Sequence, residues 1–526
     1  MSIVKDDTKP RAVDSVGKRY FVTLFSNAVF FFVSLVTAGI VPRALGPKQL
    51  GDFSFLMKVS TALRNFLNLG TSSAFFNYNS KHEKTGPLVK AYSVWLVGQL
   101  LITLSLVGFA VMIGISSFIW PGQGLKYIIW VLVFDWVFFS VSTLKQLSDS
   151  KGFTRPAQII SLCIGLLNIA VLVYFALNGL LNLGRYIAIQ TICSATISLS
   201  IIFWIIIPNR NLYWEGRVKG KLKEFFDYFY KFCSPLVAIL LVGLVFEYFD
   251  RMILQRFSGS INQGYFHIAS SWAAFATLFT TSILAIYNRE MASSIGKHDT
   301  ARASSIFSRF LKIMYFLTLL LAVFLAFHAK QLLGLIAGPK FLPATTVVVI
   351  MAFYPIHQVY GQLGGTAFYA TERTAQLRNI SVIAMISGIP LTYYFLAPKN
   401  FAIPGLELGA LGLALKTVIW QFVVVQVYLV YNCRFFKIRP GHFWWHQIYC
   451  GAILASVMYL LKAIVGFFLK DRGTSLLIAR LVTEMVIYFA VIAGLVYLFP
   501  KIAGTDKEEI RLIFKKVKGK LGFAHR

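Results

Sequence analysis

Apolar residues fill most of this chain in long blocks, separated by short polar and basic stretches. A membrane-crossing helix needs about 20 mainly apolar residues. Blocks of that size lie at 20–41, 52–76, 92–117, 125–147, 157–177, 183–207, 233–256, 263–287, 310–334, 343–366, 377–397, 405–431, 444–468 and 476–499. Two of them are interrupted, 52–76 by Lys58 and Arg64 and 343–366 by Pro355. None shows the alternating pattern of about ten residues that marks a barrel strand. The pattern predicts an all-α polytopic membrane protein with about 14 transmembrane helices.

Composition agrees and excludes other classes. Of 526 residues, 57% are hydrophobic and only 14% charged, with a net charge of +30. A basic nucleic-acid module carries its Lys and Arg on a water-soluble surface, which this chain is too apolar to have. No nucleic-acid partner is expected, and the basic residues belong in loops. With the N-terminus in the cytoplasm, about 35 of the 51 Lys and Arg fall in or beside cytoplasmic loops and about 11 outside. That bias places both termini inside. The basic start runs into an apolar block longer than a signal-peptide core, so the first span is expected to be retained. Five cysteines, an odd and scattered set, form neither a disulfide framework nor a zinc spacing. No cofactor or metal is expected.

The chain repeats itself. Arg43, Gly46, Gly51 and Phe53 fit R-x2-G-x4-G-x-F between the first two blocks, and Arg256, Gly259, Gly264 and Phe266 fit it after the seventh. Arg155-Pro-Ala-Gln158 and Arg373-Thr-Ala-Gln376 form a second pair in the same order. The glycines suit a tight turn between long helices. Blocks one to six and seven to twelve are then equivalent, a parallel repeat related by an axis along the membrane normal. The expected organisation is a cytoplasmic N-terminus (1–19), a six-helix bundle (20–207), and a cytoplasmic amphipathic linker (208–232). A second six-helix bundle (233–431), two extra spans (432–499) and a basic cytoplasmic tail (500–526) complete it.

The segment IVPRALGPKQLGDFSFLMKVSTALRNFLNLGTSSAFF resembles the opening of the Wzx-type polysaccharide flippases. These belong to the MOP superfamily, with the MATE exporters and the lipid II flippases. Their first two spans are joined by a similar loop, here Arg43, Leu45, Gly46 and Gly51. EYFDRMILQRFSGSINQGYFHIA is similar to the family's seventh span, with Asp250 and Arg251 before the glycine. The resemblance implies two six-helix bundles in a V. It implies a transporter moving an undecaprenyl-diphosphate-linked oligosaccharide to the outer leaflet of the bacterial inner membrane, coupled to an ion gradient. Its expected partners are that lipid-linked substrate, the bilayer and other polysaccharide-assembly proteins. A lipid II flippase or another MOP exporter is the alternative. A polymerase or ligase of the same pathway would carry a large outer loop, and none here exceeds about 15 residues.

Charges inside a span cost about 2.5–3.5 kcal/mol each on insertion scales and call for a role. Arg64 and Lys58 lie six residues apart on the second span, about 120° apart around the helix. Their repeat counterparts, Thr277 and Ser271, are neutral, so the fold does not need cations in both copies. A diphosphate needs cationic donors, and the planar guanidinium of Arg suits it. Arg64 and Lys58 are therefore the leading substrate-binding candidates, followed by Lys416 and His267. Glu247 and Asp135 are the ion-coupling candidates, as carboxylates within spans. Asp250 with Arg251, and Arg480 with Glu484 one turn on, read as structural pairs.

Overall fold

The computed structural model describes residues 16–82, 85–214, 221–468 and 473–508. Residues 1–15 of the expected N-terminal segment, 215–220 of the linker and 509–526 of the basic tail lie outside these. Among the described residues there is no strand. The helices are α1 (Val16–Asn68), α2 (Thr71–Lys81), α3 (Gly86–Met112), α4 (Ser116–Ile119), α5 (Leu125–Ser150), α6 (Thr154–Leu177), α7 (Leu183–Ile201) and α8 (Arg210–Tyr213). They continue as α9 (Leu222–Gly296), α10 (Thr300–Leu332), α11 (Thr345–Met351), α12 (Tyr354–Ala370), α13 (Thr374–Leu396), α14 (Gly409–Phe435), α15 (Gly441–Phe468) and α16 (Thr474–Leu498).

Among the described residues, ten helices are long and apolar enough to cross a membrane. The chain is a multi-pass membrane protein. The other expected spans fall in α1 and α9, and the second of them, 52–76, runs on into α2. Both interrupted blocks break where local chemistry dictates. Block 52–76 turns at Leu69 and Gly70, both with positive φ. Block 343–366 divides between α11 and α12, where Pro355 sits in the first turn of α12. Proline is tolerated there because the missing N–H would have no helical acceptor.

The repeat has a structural signature. α1 bends at Gly46 with φ 71 and ψ 176, and α9 bends at Gly259 with φ 73 and ψ −177. This region of backbone space is essentially restricted to glycine.

The chain divides into two compact units, Met1–Gly264 and Tyr265–Arg526. In the first, Phe55, Leu56 and Val59 of α1 pack with Val131, Leu132 and Phe134 of α5 and Leu183 and Ile187 of α7. In the second, Phe316, Leu319 and Val323 of α10 pack with Leu454 and Met458 of α15 and with Tyr488 and Ile492 of α16. In a membrane the close packing of these side chains, rather than removal of surface from water, holds neighbouring helices in fixed rotation. That rotation decides which polar groups meet.

Candidate functional site

In the first unit, the packing of α1 on α5 sets Arg64 against Asp135. The Arg64 Nε donates to Asp135 Oδ2 at 2.9 Å, and its Nη1 donates to Asn65 Oδ1 at 3.1 Å. Ser60 and Thr61 of the preceding turn also donate to Asp135, at 3.2 and 3.0 Å. The guanidinium lies 4.3 Å from the centre of the Phe139 ring, a cation–π contact. Asp135 is 1% exposed, so its charge is held by a full set of donors. Among the described residues, no acceptor meets Nη2 of Arg64.

Six residues earlier on α1, Lys58 forms an ion pair with Glu247 of α9. This pair differs in exposure, its side chains being 41% and 57% exposed against 15% and 2% for Arg64 and Asp135. The two leading substrate candidates and the two coupling candidates thus meet as two cation–carboxylate pairs. The partner assignments span 71 and 189 residues of sequence, which no local spacing rule reaches.

The glycine motif joins α1 to α9 closely. A Cβ on Gly51 would lie 1.7 Å from the Ser260 carbonyl oxygen, and one on Gly264 would lie 2.0 Å from that of Pro47. Ser260 is the repeat counterpart of Pro47, and Gly264 of Gly51, so the contact is reciprocal. Asp52 accepts from Gln123 at 2.7 Å and from Ser260, and Gln49 accepts from the Leu183 N–H at 2.8 Å. Arg43 of the motif is exposed. Arg251 is buried and braced across the Gly259 bend: its Nη1 donates to Gln263 Oε1, and Gln263 Nε2 donates back to the Arg251 carbonyl at 2.6 Å. Asp250 beside it is half-buried. Sequence reasoning missed Asp52 and Gln263 as ties, although both lie within the two motif copies.

The remaining candidates belong to the second unit. Lys416 of α14 is 2% exposed. His267 is half-buried on α9, where its carbonyl accepts from Ser270. A cavity of about 270 Å³ opens among α10, α12, α14 and α15. Leu319, Val323, Phe353 and Ile356 give it apolar walls, and His357 and Gln447 give it polar points.

The sequence family described as polysaccharide biosynthesis protein matches residues 40–346, more than half of the chain. This chain belongs to that family. Its fold is similar to those of solved MurJ and MATE transporter structures. A solved structure titled lipid II flippase MurJ, in an inward closed conformation, superimposes with a TM-score of 0.63 at 16% identity, over 91% of this chain and 98% of that one. An inward-facing multidrug resistance MATE transporter of the MOP superfamily superimposes with a TM-score of 0.56 at 14% identity, over 77% and 94%. The outward-facing MATE conformation gives 0.50 at 14% identity, over 80% and 95%. No curated protein sequence matches the chain.

Proposed function

We propose that this member of the polysaccharide biosynthesis family is a flippase. Its substrate is an undecaprenyl-diphosphate-linked oligosaccharide, carried from the inner to the outer leaflet of the bacterial cytoplasmic membrane. Both termini face the cytoplasm, transport proceeds by alternating access, and an ion gradient drives it. It works beside the other membrane proteins that assemble the polysaccharide.

The observation that carries this reading is the pair of cation–carboxylate contacts on α1, in a chain with a transporter fold. A diphosphate entering such a site competes with the carboxylates for the cations. Exposure ranks the two. The Lys58–Glu247 pair is the more exposed of the two, so Lys58 leaves its carboxylate for a phosphate more readily than Arg64 does. Breaking a buried pair by removing one partner costs about 3–5 kcal/mol. Arg64 therefore stays on Asp135 and offers its Nη2 edge. A proton on Glu247 would free Lys58, which links ion and substrate. Lys416 and His267 are assigned as secondary contacts to the phosphate and the sugar. The apolar cavity of the second unit suits a stretch of polyprenyl chain.

A lipid II flippase is the second reading, favoured by the fold match over 91% of the chain. Proteoliposomes loaded in parallel with lipid-linked oligosaccharide and with lipid II decide between them. Faster outward movement of the oligosaccharide is expected. Preference for lipid II would replace the first reading with the second, and movement of neither would remove both.

A further inference from the structure

We propose that His328 and Glu484 form a proton-binding site inside the second compact unit. α10 carries His328 and α16 carries Glu484 into the apolar contact described above, and each side chain is 1% exposed. One oxygen of Glu484 is already committed. Its Oε1 accepts from Arg480 Nε at 2.8 Å, one turn back on the same helix. Gly466 of α15 makes room for that guanidinium, since a Cβ there would lie 2.8 Å from Arg480 Nη2.

The other oxygen faces the imidazole. Glu484 Oε2 lies 3.2 Å from His328 Nε2, within ion-pair distance. The two atoms are not aligned as a hydrogen bond. Neither nitrogen of His328, nor Glu484 Oε2, nor the Tyr488 hydroxyl one turn further on has a hydrogen-bond partner among the described residues. Buried polar groups are normally paired, so a cluster of unpartnered atoms calls for an explanation. A purely structural Arg480–Glu484 pair would be complete with a leucine in place of His328. With the histidine present, the 3.2 Å contact becomes attractive when the ring is charged. The proton moves from water onto an imidazole nitrogen and yields an imidazolium facing a carboxylate, with no other reactant.

The charged groups acting on the ring from its neighbours are Lys462 of α15 and Arg480 and Glu484 of α16. Lys462 also donates to the Phe327 carbonyl at 2.6 Å, beside the histidine. With the ring neutral, Arg480 and Glu484 balance and Lys462 leaves one positive charge over. One proton adds one positive charge to the cluster. Lys462, Arg480 and Glu484 lie on the two spans outside the internal repeat, so the site exists in one copy only.

Proton binding stands independently of the transport reading, whereas its use in coupling rests on that reading. The test is nitrogen-15 histidine NMR on the purified full chain in lipid nanodiscs, between about pH 4 and about pH 9. His328→Gln, or His328→Asn should the first variant fold poorly, identifies the resonance by its loss. That resonance is expected to titrate in the unaltered protein. In the near-isosteric Glu484→Gln its midpoint should fall by at least about one pH unit, a tenfold loss of proton affinity. A resonance that does not titrate, or a midpoint unmoved by Glu484→Gln, overturns the site. In proteoliposomes, Glu484→Gln should abolish stimulation of transport by an imposed pH gradient. Full stimulation in that variant, alongside the expected fall in midpoint, overturns the coupling role and leaves the proton site standing.

Discussion

Gly46 and Gly259 occupy equivalent places in the two repeats and hold the same backbone shape, φ 71 with ψ 176 and φ 73 with ψ −177. The bends they create bring Pro47 against Gly264 and Ser260 against Gly51. An alanine at Gly46 or Gly259 should cost about 1–3 kcal/mol through backbone strain. Gly51→Ala and Gly264→Ala should cost more, because the carbonyls they meet cannot swing aside as a side-chain tip can. Thermal unfolding of the purified protein checks this, with Gly98→Ala, which faces open space, as a neutral control. Equal melting temperatures for Gly51→Ala and the control would disprove the close approach.

Arg64 and Asp135 should behave as a buried pair. Asp135→Ala alone is expected to destabilise by about 3–5 kcal/mol, since it strands a cation. The double variant Arg64→Leu with Asp135→Leu should recover most of that stability, because an apolar replacement of a buried pair is often neutral. It should still lose export of surface polysaccharide. Export at the normal level in the refolded double variant would remove Arg64 from the substrate site.

Lys58 and Glu247 make the opposite prediction. Each single alanine variant should destabilise less than Asp135→Ala does, because this pair is the more exposed. Lys58→Ala should nonetheless slow substrate movement several-fold, and Lys58→Arg should retain most of it, since either cation can meet a phosphate. Unfolding and transport assays on the same preparations separate the two effects. Transport by Lys58→Ala at the original rate would show that the pair is only a surface contact.

Gly466 should be sensitive to size. Gly466→Ala asks only the tip of Arg480 to shift, while Gly466→Val pushes the guanidinium off Glu484. A modest loss of thermal stability is expected for the first and a clearly larger one for the second. Identical melting temperatures would mean that Arg480 has room elsewhere.

Much of this architecture is legible in the sequence. Block length locates the helices, because a lipid environment demands internally satisfied backbone over a fixed thickness. Two glycines with the same flanking pattern reveal the repeat, because few residues but glycine tolerate that bend. The pairing of Arg64 with Asp135 was not legible. It depends on the rotation of α1 against α5, set by Phe55, Leu56 and Val131 together, and no single-helix period encodes that. Glu484 was found with Arg480 because both sit on one helix face. His328 was missed because it reaches them from another helix and is the lone histidine of its span. A search for buried polar residues on every long apolar block would have raised it.

The pairing on α1 has an electrical consequence. Moving one elementary charge through the membrane potential involves about 2.3 kcal/mol per roughly 100 mV. Lys58 with Glu247 and Arg64 with Asp135 are each neutral as joined. Helices that carry them intact through the field do no electrical work. Under the proposed function, the voltage then acts on the anionic diphosphate of the cargo and on any proton that accompanies it. An outwardly directed anion is favoured where the cell interior is negative, so in the proposed flippase the resting potential itself would push the substrate toward the outer leaflet.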